Sequence, residues 1–342
     1  ANHFDVRVTR SVEASKAHLP EGTKSPIFIG EALTPAHTLG IERCNPSAAL
    51  HHLDTARTRK TPYELVRMRT ASTLGATAHR AAAAAFASGA VSEYDLHMAY
   101  LKAIQCVDAD LPYHNIIALN EHAAILHYQH RERSAPQHIR TFLIDAGASD
   151  AGYASDITRT YCRESGLFND MIDSMDTLQQ ALCANVKSAV DYRALHILMH
   201  TLLAKLLVEH RIGLASAEAL VETGITRAFL PHGLGHYLGL QVHDVGGHLA
   251  DADGTPTERP GSDPNLRLTR ALSADEVLTI EPGLYFIDML LEPLRQSEHK
   301  SMLDWQAIDA LKPFGGIRIE DNVRVMDDGC ENLTRDAFKA LP

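Results

Sequence analysis

The sequence predicts an α+β fold. Long helix-patterned runs concentrate at about 61–106 and 168–230, short apolar strand-like runs lie before, between and after them, and the two kinds do not alternate as the βαβ units of a doubly wound sheet. With 342 residues, 45% of them hydrophobic and 22% charged, the chain can bury the core of one large domain or of a large and a small one.

Residues 1–56 offer one short apolar strand in SPIFIGEAL and little else regular, so they are expected to form a partial small α/β domain that ends near residue 57. Residues 57–342 then form the large domain. Thr61 reads as an N-cap, Pro62 as the first helical residue and Glu64 as the capping-box partner. The run STLGATAHRAAAAAFASG carries a helix to Gly89, and Ser92 opens another. LPYHNIIALNEHAAILHY reads as strands, TFLIDAGASDAGYASDITRT as a hairpin, and VLTIEPGLYFI and GGIRIEDNVRV as the closing strands.

The hairpin raises a chemical question, because Asp145 and Asp156 interrupt it where a sheet prefers uncharged residues. A turn centred between Asp150 and Ala151 would set residue 145 directly across from residue 156. Directly opposed Cβ atoms lie about 5 Å apart, where like charges repel, so a positive group is expected between the two carboxylates. Glu281 and Glu320 likewise follow apolar strand residues, and a carboxylate buried there is costly unless it is paired or binds a cation. In PHGLGHYLGLQVHDVGG, the spacing of His232 and His236 resembles a helical zinc-protease motif, but Gly233 and Gly235 disfavour a helix and the motif's glutamate is absent.

Charge then sets the number of ions. Four carboxylates bring about −4 and two divalent ions about +4, so a bridging hydroxide leaves roughly −1, which Arg318 could offset. Oxygen-rich ligation with one imidazole suits Mn²⁺, with Co²⁺ or Mg²⁺ as alternatives. Two such ions imply hydrolysis.

Composition excludes other classes. The net charge of −11 and the lack of a polybasic run argue against nucleic acid or an anionic membrane as partner. Five scattered cysteines without a CxxC pair fit a reduced, cytoplasmic protein, and the sequence shows no signal peptide or membrane span. The 20 histidines read either as surface residues or as metal and proton-transfer groups.

DAGASDAGYASDITRT, PHGLGHYLGLQVHDVG, IEPGLYF and GGIRIEDNV resemble the signature blocks of the pita-bread metallopeptidases; NEHAAILHY, LRLTR and ALKPFGGIRIEDN are most similar to the bacterial prolidase branch, the Xaa-Pro dipeptidases. The resemblance runs from about residue 57 to the end and implies a curved antiparallel sheet flanked by helices. It implies Asp145, Asp156, His236, Glu281 and Glu320 as metal ligands, with Asp156 and Glu320 bridging two ions. It implies further that His127, His232 and His243 line the reaction centre, that Arg267 receives a substrate carboxylate, and that Tyr113 and Tyr192 are aromatic pocket residues. Arg318, two residues from Glu320, and Thr158, two from Asp156, share faces with those ligands and are expected to orient them.

The activity expected is cleavage of a small Xaa-Pro dipeptide by a homodimer. The bridging hydroxide would attack the scissile carbonyl, Glu281 would carry the proton to the proline nitrogen, and His243 or His127 would stabilise the oxyanion. Organophosphate triester hydrolysis is an expected side activity. Two alternatives are aminopeptidase P-like cleavage of longer peptides and a metal-free use of the scaffold, as in creatinase-type amidinohydrolases or binding modules; the five intact ligand positions oppose the second.

Overall fold

The computed structural model of the chain describes residues 6–19 and 25–342. The chain divides into a small unit, Ala1–Ala56 with Leu249–Pro256, and a large one, Arg57–His248 with Thr257–Pro342.

The small unit is more regular than its sequence suggests. Within SPIFIGEAL only Ile27–Phe28 is a strand, paired in parallel with Arg43–Cys44, and helices cover Thr34–Leu39 and Ser47–Thr58. Pro35 in the first turn and a left-handed Gly40 cap delimit the first of these helices. The outlying segment is closed on itself by a bridge from Leu249 to Pro256 and is tied to the small unit by the Thr55 hydroxyl, which donates to the Asp251 carbonyl.

In the large unit, the helix Pro62–Ala87 begins at the expected capping box, with the Glu64 amide donating to Thr61 Oγ1 and the Thr61 amide to Glu64 Oε2. Ser92 and Asp95 cap Glu93–Ala103 in the same way. These two helices pack Ala78, Ala82, Phe86, Leu96 and Tyr100 against Ile117, Leu119, Phe142 and Ile144 of the sheet. A larger core joins the helices Leu167–Ala184 and Tyr192–Glu209 to Leu278, Ile280, Leu284, Ile317 and Val323. Each large apolar side chain so buried contributes about 1.5–3 kcal/mol.

All strand pairing in the large unit is antiparallel. Thr141–Asp145 lies between Ile116–Leu119 and Thr158–Cys162; Asp321–Met326 lies between Val277–Ile280 and Gly329–Asn332; Gly283–Tyr285 pairs with Gly316–Arg318. A bridge between Thr158 and Glu320 links the hairpin to the closing strands. Helix and antiparallel sheet are mixed without a closed barrel, as the α+β prediction requires.

Two local expectations are corrected. NEHAAILHY does not continue the strand of Ile116–Leu119, because Asn120 takes a φ of 54° and opens a 3₁₀ turn. Its side chain accepts from the Arg140 amide and donates to the His138 carbonyl, so the chain folds over instead of extending. The turn of the hairpin also falls one residue later, which moves each cross-strand partner by two. Ala151 and Gly152 both have positive φ, 51° and 86°, and form a two-residue turn of the primed kind, so Asp150 pairs with Tyr153 and Asp145 with Thr158 rather than Asp156.

Candidate metal centre

Three pieces of backbone bring the acidic residues together. Asp145 ends its strand beside Thr158, while Asp156 sits just before Thr158, where its amide leaves the ladder and donates to Asn322 Oδ1. Gly147 makes this possible: a Cβ there would lie 2.0 Å from the Ser155 carbonyl oxygen. Glu320 donates its amide to the Thr158 carbonyl and so faces the hairpin. His236 is held against Val277–Ile280, donating its amide to Thr279 Oγ1 and accepting from the Thr279 amide, and the Glu281 amide donates to the Leu234 carbonyl. Gly235 permits this approach, since a Cβ there would meet the Thr279 carbonyl oxygen at 2.2 Å.

The five side chains converge. Ligand atoms of Asp156, His236 and Glu320 lie within 4.8 Å of one another. His236 Nε2 is 3.5 Å from Asp156 Oδ2 and 3.6 Å from Glu281 Oε1. The Tyr113 hydroxyl reaches both Asp145 Oδ1 at 2.8 Å and Asp156 Oδ1 at 2.5 Å. Arg318 Nη2 donates to Asp145 Oδ2 at 2.6 Å, and the Thr158 hydroxyl donates to Glu320 Oε2 at 2.7 Å while accepting from Arg318 Nε. Arg318 and Thr158 thus orient ligand-position carboxylates on neighbouring strands rather than those two residues away on their own.

The protonation pattern describes a cluster short of positive charge. Burial first, and then neighbouring carboxylates, push Asp145 up to about 6 and Glu281 up to about 7, and raise Glu320 well above the carboxylate range, although Arg318 opposes this in all three. Asp156 shifts the other way: despite burial, its contacts with His236 and Tyr113 hold it below the ordinary aspartate value. His236 Nδ1 faces the Tyr237 carbonyl at 2.9 Å, which leaves the Nε2 lone pair for the cluster. Four carboxylates with one guanidinium, and an imidazole turned to offer a lone pair, fit divalent cations in both charge and donor type.

Around this cluster lies a cavity of about 940 Å³ lined by His127, His232, His243, Arg267 and Tyr113 together with the five ligand positions and Arg318. The His232 and His243 imidazoles are neutral at pH 7, pushed down mainly by burial to about 3 and about 4. No hydrogen bond or ion pair joins the Arg267 guanidinium to another described residue, and the side chain is exposed at the cavity wall. Tyr192 corrects an expectation. It is wholly buried beneath Gly235 with its hydroxyl donating to the Thr279 carbonyl, so it is a core residue that supports the His236 segment and does not line the cavity.

Sequence reasoning missed Tyr285 and Asn322. The Tyr285 hydroxyl accepts from Arg318 Nη1 at 2.9 Å and lies 2.7 Å from His232 Nε2, joining the acidic cluster to the cavity histidines. Asn322 anchors Asp156 from both sides of the peptide. Both lie in quoted blocks at even spacing from a ligand position, Tyr285 four residues after Glu281 and Asn322 two after Glu320, so the period-two argument applied to Thr158 and Arg318 would have found them.

Fold and site together define a metal-dependent hydrolase. Residues 66–327 match the model of metallopeptidase family M24. A Shewanella pealeana Xaa-Pro dipeptidase is 47% identical over 335 residues, 98% of this chain and 76% of the relative; a Xanthomonas euvesicatoria Xaa-Pro dipeptidase is 48% identical over 339 residues, with the same coverages. Among solved structures, zinc-substituted Escherichia coli aminopeptidase P in complex with product superposes with a TM-score of 0.66 at 26% identity over 85% of this chain, and Pseudomonas aeruginosa aminopeptidase PepP with 0.68 at 26% over 86%. This chain spans 58% and 60% of the length of those two aminopeptidase chains. The chain belongs to metallopeptidase family M24, as the quoted blocks imply.

Proposed function

We propose that this chain hydrolyses Xaa-Pro dipeptides at two divalent ions held by Asp145, Asp156, His236, Glu281 and Glu320. The observation that carries the reading is the unpaired Arg267 guanidinium in the same cavity as the acidic cluster, because a dipeptide presents a free carboxylate close to its scissile bond. The names of the relatives at 47–48% identity support the same substrate class.

When bound, the two ions supply a hydroxide nucleophile at neutral pH and polarise the carbonyl it attacks. Asp156 and Glu320, the carboxylates grouped with His236, would hold both ions. Arg267 receives the proline carboxylate and fixes the dipeptide's register. His243, whose ring stands 4.3 Å from that of His236, presents a neutral imidazole to the developing oxyanion, and His127 lines the same cavity as a second donor. Glu281 carries the proton to the departing proline nitrogen. The oxygen-rich set favours Mn²⁺ over Zn²⁺, with Co²⁺ and Mg²⁺ as competitors.

Five free cysteines agree with a reducing cytoplasm, and the family resemblance with a homodimer. Among the described residues no helix is long and apolar enough to cross a membrane. The same nucleophile would attack the phosphorus of organophosphate triesters as a side activity. The likeness to aminopeptidase P keeps cleavage of longer peptides as a second reading. Hydrolysis of Xaa-Pro against Xaa-Pro-Xaa, after chelation and Mn²⁺ re-addition, tests both: dipeptidase activity predicts restored cleavage of the first with little of the second, and equal cleavage refutes it.

A further inference from the structure

A second group of ligating side chains lies outside the acidic cluster. His196 and His200 stand one turn apart on the helix Tyr192–Glu209, both 1% exposed, with ring centroids 4.8 Å apart and Asp263 opposite them. His196 Nε2 is 3.3 Å and His200 Nε2 3.7 Å from Asp263 Oδ1. None of the four ring nitrogens makes a hydrogen bond to a described residue. Two buried imidazoles crowd one carboxylate oxygen at ion-pair distance, yet no ring nitrogen has a well-aligned hydrogen bond, which is costly in a protein interior.

We propose that His196, His200 and Asp263 form a further cation site, separate from the acidic cluster and suited to Zn²⁺. One ligand atom from each of the three lies within 4.8 Å of the others. In a tetrahedral zinc site with bonds of about 2.0–2.1 Å the ligand atoms stand roughly 3.4 Å apart, close to both measured separations. Histidines at i and i+4 on a helix present both rings to one ion. Asp263 is held for the purpose: Arg227 Nε donates to Oδ1 at 2.7 Å, Arg227 Nη2 to Oδ2 at 3.0 Å, and the Ser262 hydroxyl to Oδ2 at 2.6 Å. Arg318 holds Asp145 in a similar way at the acidic cluster. Two nitrogens and one oxygen select Zn²⁺, whereas the acidic cluster selects oxygen-seeking ions. With one carboxylate, already paired with Arg227, this site fills after the acidic cluster.

Its position gives the ion a structural task. Pro264, Asn265 and Arg267, directly following Asp263, line the cavity, and Asn265 Nδ2 donates to the carbonyl of Pro231 beside His232. An ion joining Asp263 to the helix would pin the loop that carries Arg267.

The test is anomalous scattering from crystals of the Mn²⁺-loaded protein soaked in Zn²⁺, with data collected on both sides of the zinc edge. A zinc peak within bonding distance of His196, His200 and Asp263 is expected, and His200→Phe, which keeps the ring volume but not the nitrogens, should lose that peak while retaining two Mn²⁺ per chain. Zinc found only at the acidic cluster, zinc absent, or a peak that persists in His200→Phe would overturn the proposal; should the variant not fold, the parent map decides alone.

Discussion

Replacing Arg267 with alanine separates a dipeptidase from a peptidase that merely prefers proline. The guanidinium has no described partner, so in the proposed complex its donors are available to the substrate carboxylate. A charge-assisted hydrogen bond contributes about 1.5–3 kcal/mol, and because Arg267 is exposed, solvent screening places the expected loss at the lower end. That is roughly ten- to thirtyfold in kcat/KM for Xaa-Pro. An Xaa-Pro amide lacks the charge and should lose little further, which makes the comparison a double-mutant cycle with the carboxylate as one corner. Arg259 is the internal control: it lines the same cavity, but its donors are already committed to His248 Nε2 and the Pro264 carbonyl, so Arg259→Ala should cost less. Steady-state kinetics on both substrates, with two ions per chain verified, provides the readout. Equal losses on acid and amide would make Arg267 structural and move the carboxylate receptor elsewhere, with His243 the next candidate.

Asp145→Asn and Glu320→Gln should each abolish turnover by releasing an ion, which metal analysis of the dialysed variants reads directly; two retained ions with normal rates would refute a dinuclear site. Chelation should lower Tm, because ions that bind only the folded state stabilise it by mass action; an unchanged Tm after full metal removal would place the ions outside the sheet. His79, fully buried with Nε2 3.0 Å from the Ala146 carbonyl oxygen, is pushed down to about 3 chiefly by burial. Its folded value lies below its unfolded one, so its contribution is complete above about pH 6.5 and is lost as pH falls toward 3, at up to about 1.4 kcal/mol per pH unit. His79→Gln should flatten the fall in urea midpoint between pH 6.5 and 4, and an unchanged slope would assign the acid sensitivity to other groups.

The helical half of the fold was legible because its signals are local. Thr61 with Glu64 and Ser92 with Asp95 close capping boxes within four residues, and nothing distant competes with them. The missed elements depend on single backbone angles or on partners far away in sequence. Asn120 ends a strand through a left-handed φ that an asparagine tolerates without requiring it, and Tyr192 looked like a pocket residue until Gly235 allowed another segment to close over it. Periodicity reports neither.

The acidic cluster survived an error in the very step used to find it. Opposing Asp145 to Asp156 across the hairpin needs a turn one residue earlier than Ala151–Gly152 allows, but moving the turn by one residue moves each cross-strand partner by two, from Asp156 to Thr158, and a change of two keeps every side chain on its face. The two acids therefore still converge: Gly147 lets the Ser155 carbonyl come in close, the Asp156 amide donates to Asn322, and Asp156 meets Asp145 at the Tyr113 hydroxyl. The inference therefore rested less on register than on cost. Four carboxylates in apolar strands had to meet positive charge wherever the turn fell, and the residues that settle their positions, Gly147, Asn322 and Tyr113, carry no charge that such a count could reveal.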